Sequence, residues 1–180
     1  DRFESRGLGD VYKRQAIDPS GNPHISYINT TPNPDAVMYA HHNGTAWTTE
    51  VIDATPYYAY DTSIDLDSSG NPHISYAVYN NTGNSYNLRY SYHNGSEWVY
   101  DDIKDYRGSY WNSYSNTGKN NQIKLNGTDV PHIVFFDDYY DDVYLSVRIN
   151  GTWSSSSVDD YGGMYTCLLY TSPSPRDSNL

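Results

Sequence analysis

Along most of the chain, apolar and aromatic residues alternate with polar ones in short runs that Gly, Asn, Asp and Pro cut apart. Residues 62–103 show the pattern whole. Thr62-Ser-Ile-Asp-Leu-Asp67 leads into the turn Ser68-Ser-Gly-Asn-Pro72, and His73-Ile-Ser-Tyr-Ala-Val-Tyr79 follows. After a polar loop come Leu88-Arg-Tyr-Ser-Tyr-His93, the turn Asn94-Gly-Ser96, and Trp98-Val-Tyr-Asp-Asp-Ile103. Four such runs joined by short turns predict a four-stranded antiparallel meander. Period-two alternation puts Ile74, Tyr76 and Val78 on one face of the second strand, with His73, Ser75 and Tyr79 on the other. Both faces are at least half apolar, so the sheet is expected to be covered on both sides. No stretch carries a helical period, which predicts an all-β chain.

The unit recurs. Ser20-Gly-Asn-Pro-His-Ile-Ser-Tyr27 returns as Ser69-Gly-Asn-Pro-His-Ile-Ser-Tyr76 and, more loosely, as Thr128-Asp-Val-Pro-His-Ile-Val-Phe135. Asn43-Gly-Thr-Ala-Trp47 returns as Asn94-Gly-Ser-Glu-Trp98 and as Asn150-Gly-Thr-Trp153. Asn43-Gly44 suits a type I′ hairpin turn, whose two central positions need positive φ. A four-stranded unit returning roughly every 40–50 residues is what a propeller blade requires. The expectation is therefore a partial β-propeller of three blades, residues 16–53, 60–103 and 120–159, with a fourth beginning at Gly162-Gly-Met-Tyr-Thr166. The remaining blades of a longer parent would then be its immediate partners.

The two ends break the pattern. Ser5-Arg-Gly-Leu-Gly-Asp-Val-Tyr-Lys-Arg-Gln15 and Cys167-Leu-Leu-Tyr-Thr-Ser-Pro-Ser-Pro-Arg-Asp177 resemble translated sequencing-library adaptor. One oligonucleotide encodes the first, and its reverse complement, read one base in, encodes the second. On that resemblance residues 1–15 and 167–180 are adaptor-derived, and residues 16–166 are a piece of a longer protein.

Setting the ends aside changes the composition. The single cysteine, Cys167, leaves with them, and six basic residues stand against eighteen acidic ones, a formal charge of −12 over residues 16–166. Such a surface repels phosphate backbones and anionic lipid, which argues against nucleic-acid and membrane-surface partners. No apolar run is long enough to span a bilayer. Acidity, few lysines and abundant Tyr, Asn, Ser and Thr suit a secreted or cell-surface protein. Of six Asn-x-Ser/Thr sequons, four fall in Asn-Gly turns, leaving Asn29 and Asn80 as glycosylation candidates.

Candidate chemistry lies at repeated and at unrepeated positions. His24, His73 and His132 share one repeat position and, brought round an axis, could form a ring for a metal or anion. The alternative is blade scaffolding, since a residue present in every copy serves what every copy needs. Trp47, Trp98 and Trp153 read the same way, each as a ring filling the gap between blades. Asp65 and Asp67, and the loop containing Asp137, Asp138, Asp141 and Asp142, offer hard oxygen ligands of the kind calcium takes. An acidic, turn-favouring loop is the plainer account. No other cofactor is expected. The connections after the fourth strands do not repeat, and they carry Tyr57, Tyr58, Tyr106, Tyr110 and Trp111. Aromatics on variable loops over a rigid scaffold suit a glycan or protein ligand.

Ser91-Tyr-His-Asn-Gly-Ser-Glu-Trp98 resembles the Asp-box (BNR) repeat of sialidase-like propellers, with serine, glycine, hydroxyl and tryptophan at related spacing. It lacks the aspartate and shifts the glycine. The resemblance implies a propeller; it carries no catalytic residue onto this chain. Sialidase chemistry would need an arginine cluster, and Arg89, Arg107 and Arg148 occupy non-equivalent positions. The sequence thus points to a non-catalytic binding or structural module, the alternative being a fragment of a glycan-active enzyme whose catalytic residues lie in other blades.

Overall fold

The computed structural model describes residues 13–31, 35–54, 58–80, 85–103, 117–137 and 141–159. Among these residues twelve strands form three four-stranded sheets. The first holds β1 (Lys13–Ile17), β2 (Pro23–Asn29), β3 (Ala36–His42) and β4 (Trp47–Asp53). The second holds β5 (Ala59–Leu66), β6 (Pro72–Asn80), β7 (Ser85–His93) and β8 (Trp98–Ile103), and the third β9 (Thr117–Leu125), β10 (Pro131–Asp137), β11 (Asp142–Ile149) and β12 (Thr152–Asp159). In every sheet the strands pair antiparallel in chain order. The described residues are all β and blade-like, with no helix among them. β1 begins at Lys13, so the last three residues of the adaptor-like segment continue it, opposite Tyr27, Ser26 and Ile25. Such pairing uses backbone groups alone and asks little of the side chains.

The turn between first and second strands is built the same way three times. Asp18 accepts the backbone N–H of Asn22 at 2.7 Å, Asp67 that of Asn71 at 2.7 Å, and Asn126 that of Val130 at 3.0 Å. Gly21 and Gly70 supply the positive φ, and Asp129 takes that position in the third copy at φ 59°. Asp129 also reaches back to the second sheet, where Ser68 donates to it through N at 2.9 Å and through Oγ at 2.6 Å.

The outer hairpins correct one expectation. Asn43-Gly44 does not form a type I′ turn: only Gly44 has positive φ, and Asn43 Oδ1 accepts the N–H groups of Thr45 and Ala46 instead. Asn94-Gly95 does the same, its acceptor bound by Ser96 and Glu97. In the third sheet Asn150 and Gly151 both have positive φ, and Ile149 pairs with Thr152. The loops from His42 to Trp47 and from Arg148 to Trp153 are equally long, but Asn-Gly sits one place later in the second. There it occupies the tip, and the tight turn forms.

The sheets stack face to face, their closest approach lying between the first strands, β1 against β5 and β5 against β9. One core lies between sheets one and two, with Ile28, Val37 and Tyr39 meeting Ile64, Ile74, Tyr76 and Val78. The other joins Leu88, Tyr90 and Ile103 to Ile123, Ile133 and Phe135. β6 is therefore buried on both faces from Pro72 to Val78, whereas the fourth strands β4 and β12 are largely exposed. Polar residues of the inner strands bond across the stack. Ser26 Oγ donates to Thr62 Oγ1 at 3.0 Å, and the equivalent Ser75 donates to Asn121 Oδ1 at 2.5 Å. Near the first core Arg89 donates to Asp53 at 2.7 Å and to Asp102 at 2.6 Å.

Candidate ligand site at the sheet seams

Register decides which side chains meet at each seam. On β3, Tyr39 is opposite Glu50 and two residues before His41; on β7, Tyr90 is opposite Asp101 and two before Tyr92. These side chains face the following sheet. Into each seam that following sheet inserts the tryptophan at or next to the start of its fourth strand. Trp98 packs edge-on against Tyr39, with ring centroids 5.3 Å apart, and Trp153 packs edge-on against Tyr90 at 5.1 Å. Trp47, in the first sheet, has no preceding sheet among the described residues and stands 52% exposed.

The two seams share this plan, but the acid opposite the tyrosine is one methylene shorter in the second. Glu50 reaches the indole of Trp98, whose Nε1 donates to Glu50 Oε2 at 2.9 Å. Asp101 is shorter, and the buried Nε1 of Trp153 has no hydrogen-bond partner. Asp101 faces Arg148 instead, with Nη2 2.8 Å from Asp101 Oδ2. That contact is an ion pair by distance, but its direction misses a hydrogen bond, so Asp101 Oδ2 and Arg148 Nε are buried without one. The Arg148 guanidinium lies over Tyr90 and Tyr92, 5.7 and 5.4 Å from their ring centroids. Burial raises the Tyr90 phenol above its ordinary range, so it is neutral at physiological pH. The second seam thus gathers an unsatisfied indole N–H, an unsatisfied guanidinium N–H, an acceptor carboxylate and aromatic faces. Buried polar atoms of this kind are rare unless something else binds them.

The repeated histidines sit beside the seams, not in a ring. His24 Nδ1 is 2.6 Å from the Tyr39 hydroxyl, and His73 Nδ1 is 2.6 Å from that of Tyr90. In the third sheet Leu145 replaces the tyrosine, and His132 Nδ1 bonds to the carbonyl of Val130 at 3.0 Å. Burial lowers the pKa of His73 against the opposing pull of Asp67. Burial and the neighbouring His41 lower that of His24. Among the described residues, the metal-ligating side chains that converge are Asp18, His24 and His41; His73 and His132 do not join them.

The expected calcium ligands are dispersed. Asp65 accepts Lys124 Nζ at 3.1 Å and the N–H of Leu125 at 2.8 Å, tying sheet two to sheet three. Asp67 holds its own turn, its pKa lowered by the hydrogen bonds of Asn71 and Ser69 despite burial. Asp137 is buried near Thr117, Asp142 is buried beside the Tyr144 hydroxyl, and Asp141 is exposed. Asp138 lies outside the described residues. So do Tyr57, Tyr106, Tyr110 and Trp111 among the expected loop aromatics. Tyr58 is 49% exposed and meets Tyr79 edge-on, close to a second pair formed by Tyr60 and Tyr86. Asn29 caps the N–H of Thr31, and Asn80 ends β6.

Reading the sequence missed Asp101, Arg148, Glu50, Tyr39, Tyr90 and His41. The signal was present in the alignment of strands three and four between copies, where Glu50 becomes Asp101 and His41 becomes Tyr92.

No family model matches the chain, and no curated protein matches it. Among solved structures, the chain is similar to a fucose lectin from Kordia zhangzhouensis in complex with methyl-fucoside, with a TM-score of 0.52 and 15% identity. The match covers 80% of this chain and 96% of that one. At that identity the likeness is one of fold, a β-propeller-like stack of antiparallel sheets.

Proposed function

We propose that the chain is a carbohydrate-binding module, non-catalytic, built as part of a β-propeller. Its sugar site is the seam between sheets two and three. The observation that carries this reading is the pair of buried N–H groups without a hydrogen bond, on Arg148 and Trp153, beside the Asp101 carboxylate and the rings of Tyr90 and Tyr92. A sugar offers what those atoms lack. With the seam opened, its hydroxyls would accept from Arg148 Nε and Trp153 Nε1 and donate to Asp101, while its apolar face would meet the part-exposed ring of Tyr92. The first seam, where Glu50 already satisfies Trp98, is the self-closed form of the same device. The lectin fold of the similar structure supports the ligand class. The acidic, cysteine-free composition of residues 16–166 supports a secreted or cell-surface setting.

Calorimetric titration of the full chain with methyl-fucoside and a panel of other methyl glycosides tests the proposal. At least one glycoside should bind, and Trp153→Ala and Arg148→Ala should each weaken it at least tenfold. Binding that survives both substitutions, or no binding to any glycoside, overturns it. Survival there with loss in a Tyr110→Ala, Trp111→Ala double variant would move the site to the unrepeated loops.

A further inference from the structure

We propose that Asp18, His24 and His41 form a binding site for a first-row divalent cation of the zinc class, at the turn end of the first sheet. His24 and His41 are directly opposite each other on β2 and β3, with ring centroids 4.3 Å apart. Asp18 enters from the β1–β2 turn, and one ligand atom from each of the three lies within 4.8 Å of the others. His24 Nε2 and Asp18 Oδ2 are 3.9 Å apart, too far for a hydrogen bond. Ligands on a tetrahedral ion at about 2.0–2.2 Å stand roughly 3.3 Å from one another, so a small closure would seat the ion.

Three features fit a metal, and the last of them separates it from scaffolding. His24 is 4% exposed, and its Nε2 is buried without a hydrogen-bond partner. Its Nδ1 is held by Tyr39, as a ligating histidine is held by an outer oxygen that fixes ring and tautomer. Asp18 is oriented likewise: Asn22 donates to both its oxygens, at 2.7 and 2.9 Å. The third feature is that the triad is specific to one copy. The second sheet keeps Asp67 and His73, 3.7 Å apart, but sets Tyr92 where His41 stands. The third has Asn126 and Val147 at the corresponding places. A turn lock accounts for Asp and His in two copies; it leaves His41 unexplained. Two imidazoles and one carboxylate select zinc, cobalt or nickel over calcium, and they leave a coordination position open to solvent or a ligand oxygen.

The test uses the EDTA-treated full chain, titrated with Zn²⁺ by calorimetry and with Co²⁺ by visible absorption. His41→Tyr, which installs the residue the second sheet carries, should lower Zn²⁺ affinity on the order of 100-fold and abolish any rise in Tm with Zn²⁺. Histidine side-chain NMR of the wild type gives a readout independent of that variant's folding: Zn²⁺ should shift the His24 and His41 resonances. The proposal is overturned if the wild type fails to bind Zn²⁺, if a folded His41→Tyr binds it equally well, or if only other histidines shift.

Discussion

Replacing Arg89 by methionine isolates how much one charged contact between sheets matters. Arg89 has a side chain 17% exposed and pairs with Asp53, whose side chain is 6% exposed. Burial opposes its charge, but the carboxylates of Asp102 and Asp53 hold its pKa above the ordinary arginine value. With Arg89→Met, Asp53 stays buried at the end of β4 with the Tyr76 hydroxyl donating to it at 3.2 Å. Breaking a buried pair from one side costs about 3–5 kcal/mol, because the remaining charge keeps its desolvation penalty. Asp102 also loses its partner, but its side chain is 45% exposed and water replaces the guanidinium at little cost. For a chain of this size the loss corresponds to a drop in Tm of roughly 10 °C. The compensating variant, Asp53→Leu with Arg89→Met, should recover most of it, since both members of the ion pair are then removed together. Urea unfolding of the full chain, followed by tryptophan fluorescence, reads both variants. A single-variant loss under about 1 kcal/mol, or a double variant less stable than Arg89→Met, would refute the reasoning.

Gly118→Ala should destabilise by roughly 1–3 kcal/mol, because φ is +93° there and a Cβ would lie 3.1 Å from Leu88 Cβ and 3.2 Å from its Cα; Gly70→Ala, with the same sign of φ but open space, separates strain from clash in the same unfolding assay. Acid should weaken the fold through His73. Its folded pKa is depressed by burial below the unfolded value, against the pull of Asp67, Asp129 and Asp65, so the unfolded state binds more protons as pH falls below about 6.5. Melting at pH 5 and pH 7.5 should show a loss at pH 5 that shrinks in His73→Gln, and an unchanged difference would contradict it.

The strand-and-turn grammar was legible because it is local. Alternation needs only period two, and Asp18, Asp67 and Asn126 close their turns on residues four places away. Even the burial of both faces of β6 could be read from residues 73–79, where Ile74, Tyr76 and Val78 make one face apolar and Ala77 and Tyr79 make the other half apolar. The hairpins mark where local reading stops: Asn-Gly has the same propensity at 43–44 and 150–151, and only its place relative to the last strand pair selects the turn. The seams lay further from view, since each joins residues of two repeats that strand register alone aligns. Trp98 and Trp153 look alike in sequence. Tertiary structure gives one a glutamate it can reach and the other an aspartate it cannot, and that missing methylene leaves an indole N–H unsatisfied. His41 likewise became a candidate ligand only when pairing set it opposite His24, because metal ligation depends on distances between strands, whereas alternation depends on spacing along one.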